Sequence, residues 1–147
     1  MRITEDMFFA LLTAFPTVPP EAGGILGSSD GGKTVTHFVY DPGTVCRDRA
    51  IYIPNTEYLN RKIAEMERNG ILFCGLVHSH LPTQDSLSKD DRQYLRRVMA
   101  AMPESISVLY APIVLPNTAV IPFSIHRQND TIIKEPLEVI SFEKGGK

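Results

Sequence analysis

The chain has 147 residues, 43% of them hydrophobic and 22% charged, with a formal net charge of −2. Such a length and composition suit one globular domain spanning residues 1–147 and exclude a disordered chain. The near-neutral balance carries no overall electrostatic footprint for nucleic acid or for an acidic membrane surface, so neither is expected as a partner.

In chain order, Thr4 is placed to cap a first helix over Glu5 to Ala14, with Glu5 and Asp6 at its positive end and Pro16 beyond it. Phe8, Leu11, Leu12 and Phe15 recur at helical spacing. These acids stand where a signal peptide carries positive charge, and no segment approaches the roughly 18 to 20 apolar residues of a membrane span. The expected location is cytoplasmic. Ala22 to Gly27 reads as a buried strand, Ser28 to Gly32 as a turn, and Thr34 to Tyr40 as an alternating strand that closes a hairpin. A short strand is expected near Ile51 to Ile53. Asn55 then caps a helix to about Asn69, with Leu59, Ile63 and Met66 inward and Gly70 as its left-handed end.

Ile71 to Val77 is a continuous apolar run, the mark of a strand covered on both faces. A loop over Leu81 to Leu87 leads to a third helix from Ser88 to about Met102, with Tyr94, Leu95, Val98 and Met102 inward. Strands follow over Ser105 to Leu115 and Thr118 to His126, with one or two more in Thr131 to Ile133 and Leu137 to Phe142. This interleaving gives an α/β or α+β class, a mixed sheet with flanking helices. Cys46 and Cys74 are too few for a disulfide framework; both are expected as free thiols, Cys74 as buried packing. Gly145-Gly146-Lys147 reads as a flexible end.

The chemistry concentrates where the buried strand ends, at His78-Ser79-His80. On an extended chain, residues two apart face the same way, so both imidazoles project together as half of a metal site. Asp91, in the first turn of the next helix, can complete three protein ligands and leave a position for water. Each part also has an ordinary reading: two unremarkable histidines, and Ser88 with Asp91 as a common helix start. A carboxylate base near the metal would complete a hydrolase, and Glu21, beside Gly23-Gly24, is a candidate. His37 and His126 are expected to be structural or exposed, and Glu57, Asp85 and Asp90 to face solvent.

The succession of Glu21-Ala-Gly-Gly-Ile-Leu-Gly, His78-Ser-His80, seven residues, Ser88, two residues and Asp91 resembles the JAMM motif of the JAB/MPN metalloproteases, in their MPN+ form. The resemblance covers residues 1 to 125 and implies the family's sheet-and-helix architecture, related to that of cytidine deaminases. It implies zinc held by His78, His80 and Asp91, Glu21 as general base and then acid, and Ser88 as a stabiliser of the oxyanion. It further implies cleavage of a peptide or isopeptide bond after the C-terminal tail of a ubiquitin-like or sulfur-carrier protein, the tail held extended by strand addition. Leu81 departs from the family, which usually has proline directly after the second histidine; here proline follows at Pro82. The compact chain resembles the small prokaryotic members, some of which act in phage tail assembly. A catalytically silent or partner-activated MPN scaffold and a small-molecule amidase are the alternatives. The His-x-Glu and Pro-Cys-x-x-Cys signature of a cytidine deaminase is missing.

Overall fold

A computed structural model describes residues 1–18, 20–44 and 52–141. Helix α1 (Glu5–Ala14) follows strand β1 (Arg2–Thr4), and the Thr4 hydroxyl accepts a hydrogen bond from the Met7 N–H as its cap. Strands β2 (Gly23–Ser28), β3 (Thr34–Val35) and β4 (His37–Asp41) precede helix α2 (Thr56–Arg68), capped by Asn55. Strand β5 (Leu72–Ser79) leads to helix α3 (Lys89–Ala101). Strands β6 (Val108–Tyr110), β7 (Ile113–Leu115), β8 (Ala119–Ile121), β9 (Phe123–His126), β10 (Thr131–Lys134) and β11 (Glu138–Ile140) close the order. The fold is α+β, as the sequence predicts.

Eight strands form one mixed sheet in the order β10-β9-β6-β5-β2-β4, with β7 and β8 branching from β5; β11-β1-β3 form a small parallel sheet. The expected hairpin exists in altered form. Strand β2 pairs antiparallel with β4, but Thr34 and Val35 leave that partner and join β1 in the second sheet. The two predicted strands after α3 are each broken as well. Ala111-Pro112 separates β6 from β7, and Pro122 separates β8 from β9, because proline has no N–H for the ladder. Tyr52 and Ile53 are not in a strand. Ile51, Cys46 and Gly145-Gly146-Lys147 lie outside the described residues.

The sheet is covered on both faces. Leu11 and Phe15 of α1 pack with Leu26, Cys74, Val77 and Val114 on one side. Leu59 and Met66 of α2 and Leu95 and Met99 of α3 pack with Ile25, Phe73, Leu109 and Ile113 on the other. The alternation along β5 changes phase once. The register with β2 slips between Leu26 and Gly27, which pair with Gly75 and Phe73, leaving Cys74 as the extra residue of a bulge. Without the bulge, strict alternation from Phe73 would send Ser79 to the α2/α3 side. With it, Leu76 packs on that side and Val77 on the α1 side. His78, two residues after Leu76, therefore faces α3.

Candidate metal centre

Three elements converge at the end of β5. His78 is paired with Gly23 of β2, and the pairing runs on beyond the strands: the Ser79 N–H donates to the Ala22 carbonyl at 2.8 Å. The Ala22 N–H in turn donates to the buried Ser79 hydroxyl oxygen at 3.0 Å. This clamp fixes the backbone next to Glu21, which lies two residues before β2 and lines the same cleft as the histidines. On the other side, the His80 N–H donates to the Val114 carbonyl at 3.0 Å. The residue between the two histidines thus ties the segment next to Glu21 to β5, a role the sequence pattern does not reveal.

Asp91 arrives on α3. Ser88 caps that helix: its hydroxyl oxygen accepts the Asp91 N–H at 3.0 Å, and the Ser88 N–H donates to Asp91 Oδ2 at 2.9 Å. The capping box holds the carboxylate on the side of the histidines. Asp91 Oδ2 lies 3.3 Å from His78 Nε2 and 3.2 Å from His80 Nε2, and the two Nε2 atoms are 2.7 Å apart. Among the described residues, these three form a group able to hold a metal ion, their ligand atoms all within 4.8 Å of one another. The Nδ1–H of His80 donates to the Gln84 carbonyl at 2.9 Å, which leaves Nε2 free for a metal. The capping reading of Ser88 and Asp91 is compatible with the metal reading, since the helix cap also holds the Asp91 carboxylate in the group.

The electrostatics agree with a shared site. Burial pushes the Glu21 carboxyl up, while His80, His78 and the Leu81 N–H pull it down, leaving a net upward shift. Leu81 stands where the resemblance leads one to expect proline and, unlike proline, keeps a backbone N–H. Glu21 Oε2 is buried and has no hydrogen-bond partner among the described residues, an expensive state unless something else satisfies it. Burial disfavours the charged forms of Asp91 and His80 too. Hydrogen bonds outweigh it: those with His78 and His80 take the Asp91 carboxyl well below the usual range, and those with Asp91 and the Gln84 carbonyl raise the His80 imidazole.

Cys74 belongs to the α1 side of the sheet, away from the histidines; burial raises its thiol to about 12, so it is packing and no ligand. His37 and His126 bond to neighbouring Thr36 and Ser124 as structural residues, and Glu57, Asp85 and Asp90 are exposed. Tyr94, expected in the core, instead lines the cleft, together with Tyr52, which the sequence did not single out.

A family model for prokaryotic homologs of the JAB domain matches residues 11–127, a stretch that contains Glu21, His78, His80, Ser88 and Asp91. The chain belongs to the prokaryotic JAB family. Solved structures with similar folds include a JAB1/MPN domain protein from Archaeoglobus fulgidus, 18% identical with a TM-score of 0.56, covering 95% of this chain and 99% of that one. A Desulfitobacterium hafniense protein is 20% identical with a TM-score of 0.66, covering 99% of this chain and 96% of that one. A Salinibacter ruber protein is 17% identical with a TM-score of 0.58, covering 95% and 92%. At these identities the likeness establishes the fold of the JAB-domain chain. No curated protein matches the sequence significantly.

Proposed function

We propose that this JAB-domain protein is a zinc-dependent peptidase or isopeptidase, with His78, His80 and Asp91 as ligands, Glu21 as general base and Ser88 as oxyanion donor. The observation that carries the reading is the buried, unpartnered Glu21 Oε2 beside a convergent His-His-Asp group. The donor set fits zinc: two imidazole nitrogens and one carboxylate oxygen make a three-ligand catalytic site. Bonds of the usual length in a tetrahedral site place ligand atoms about 3.3 Å apart. Both His–Asp distances match that edge at 3.2 and 3.3 Å, and the His–His distance of 2.7 Å is shorter.

Zinc held there would supply Lewis acidity and lower the pKa of a coordinated water to about 7. Glu21, raised by burial, is suited to accept a proton at the attacking oxygen and return it to the departing amine. The Ser88 hydroxyl oxygen accepts the Asp91 N–H, so its own proton remains available to donate to the developing oxyanion. A ubiquitin-like or sulfur-carrier protein is the proposed substrate class, its tail bound extended. Strand β4 ends the order of the large sheet, and its last residue, Asp41, is in register with Gly23 and through it with His78. A tail added there would run toward the metal.

The test combines metal analysis with cleavage of ubiquitin-like and sulfur-carrier fusions. About one zinc per chain is expected, lost in His78→Ala and Asp91→Ala. Glu21→Gln should keep the zinc and lower turnover by at least ~100-fold. A folded, metal-free wild type would overturn the reading, and full turnover in Glu21→Gln would remove Glu21 from its role.

A further inference from the structure

His78, His80 and Asp91 line a cleft of about 650 Å³, within the size range of small-ligand sites. Tyr52, Pro54, Leu76, Tyr94, Leu95 and Ala111 bring apolar surface to the same lining, which also carries polar groups such as Gln84 and Arg97. Of these, Leu95 and Ala111 are buried, while the other four are only partly covered. Accessible apolar surface inside a concavity gains free energy when a ligand removes it from water.

The recess is built into the same elements as the ligands. Leu76 precedes His78 by two residues on β5, and Tyr94 and Leu95 follow Asp91 by three and four on α3. The Tyr52 ring lies against Gly23, the register partner of His78; a Cβ at Gly23 would run into that ring and into the Val77 carbonyl. The ring is also fixed from behind. Its hydroxyl donates to Asp41 Oδ2 at 2.7 Å, and the fully buried Asp41 accepts further bonds from the Gly43 and Asn55 N–H groups at 2.8 and 2.9 Å. A wall held in this way does not need to be ordered when a ligand arrives.

We infer that this recess is a specificity subsite that takes a large apolar or aromatic side chain adjoining the scissile amide. The substrate class is thereby narrowed to chains with such a residue at the cleavage point, in place of a tail whose cleavage point is flanked only by small residues. The inference rests on the metal-hydrolase reading. Tyr52 and Tyr94 set the preference, and Asp41 is a positioning residue that acts through Tyr52.

The experiment measures binding of two metal-directed probes to the zinc-loaded protein by calorimetry: acetohydroxamate, and 3-phenylpropanohydroxamate, whose flexible arm carries a ring. The phenyl probe is expected to bind at least ~10-fold more tightly, the scale of burying an aromatic ring. Tyr94→Ala should reduce that ratio to below ~3-fold, and Tyr94→Phe should retain it. Equal affinities in the wild type would overturn the subsite while leaving the metal centre standing. A ratio unchanged in Tyr94→Ala would also overturn the assignment. If neither probe binds, the metal-hydrolase reading falls and takes the inference with it.

Discussion

Ser79 shows how much of the centre depends on a residue that touches no metal ligand atom. Its buried hydroxyl satisfies the Ala22 N–H, and Ser79→Ala leaves that donor without a partner. The expected cost is about 1–3 kcal/mol, read as a lower urea midpoint at unchanged slope. Asp30 gives a pH-dependent counterpart far from the site. Hydrogen bonds from the Ser28 hydroxyl and the Thr34 N–H lower its carboxyl from 3.8 to about 2. A depressed carboxyl stabilises the fold above its unfolded value and stops doing so as pH falls through its folded one. The stability gap between wild type and Asp30→Ala should therefore be constant above about pH 4, shrink below it and be largely gone by about pH 2. Denaturation followed across that range checks it. Of the site residues, His78, His80, Ser88 and Asp91 are legible in the sequence because their spacing is local. Asp41 is not: it falls just past the strand predicted over Thr34 to Tyr40, and only pairing with β2 places it behind Tyr52.

Helix α3 carries Asp91 at one end and depends on a distant arginine at the other. No basic residue lies in its last turn, so its terminal carbonyls lack the usual local positive charge. Arg127, beyond the end of β9, supplies it. Its Nη2 donates to the carbonyls of Met99, Met102 and Pro103 at 2.9 to 3.1 Å, and its Nε to that of Ile106 at 2.8 Å. Arg127→Ala should cost about 2 kcal/mol, since these are charge-assisted bonds, and faster amide exchange should appear first in the last turn of α3. The helices themselves were readable because caps and apolar stripes are local. Strand continuity was not. Pro112 and Pro122 are visible in the sequence, yet the apolar runs around them read as unbroken until the partner strands show which ladder loses a donor.

For the whole molecule, the centre ties the sheet to α3 and to the segment before β2, so a bound ion links parts distant in sequence. Zinc at a hundred times its Kd should stabilise the fold by about 2.7 kcal/mol, or roughly 5–10 °C in Tm for a chain of this size. Thermal scans with zinc and with a chelator check this; the shift should vanish in His78→Ala. No helix among the described residues is long and apolar enough to cross a membrane.

The sequence alone determined a mixed sheet with flanking helices, all three helices and the identities of the candidate ligands, because helical periodicity, capping residues and fixed offsets act within a few residues. The tertiary structure decided what those offsets could not. A bulge at Cys74 sets which face of β5 carries His78, and Ser79 ties the residue after Glu21 to that strand across the sheet. Gly23 lets the Tyr52 ring pack beside it in the lining of the cleft. Each of these depends on strand register between segments tens of residues apart, a quantity set by cross-strand packing and invisible to local pattern.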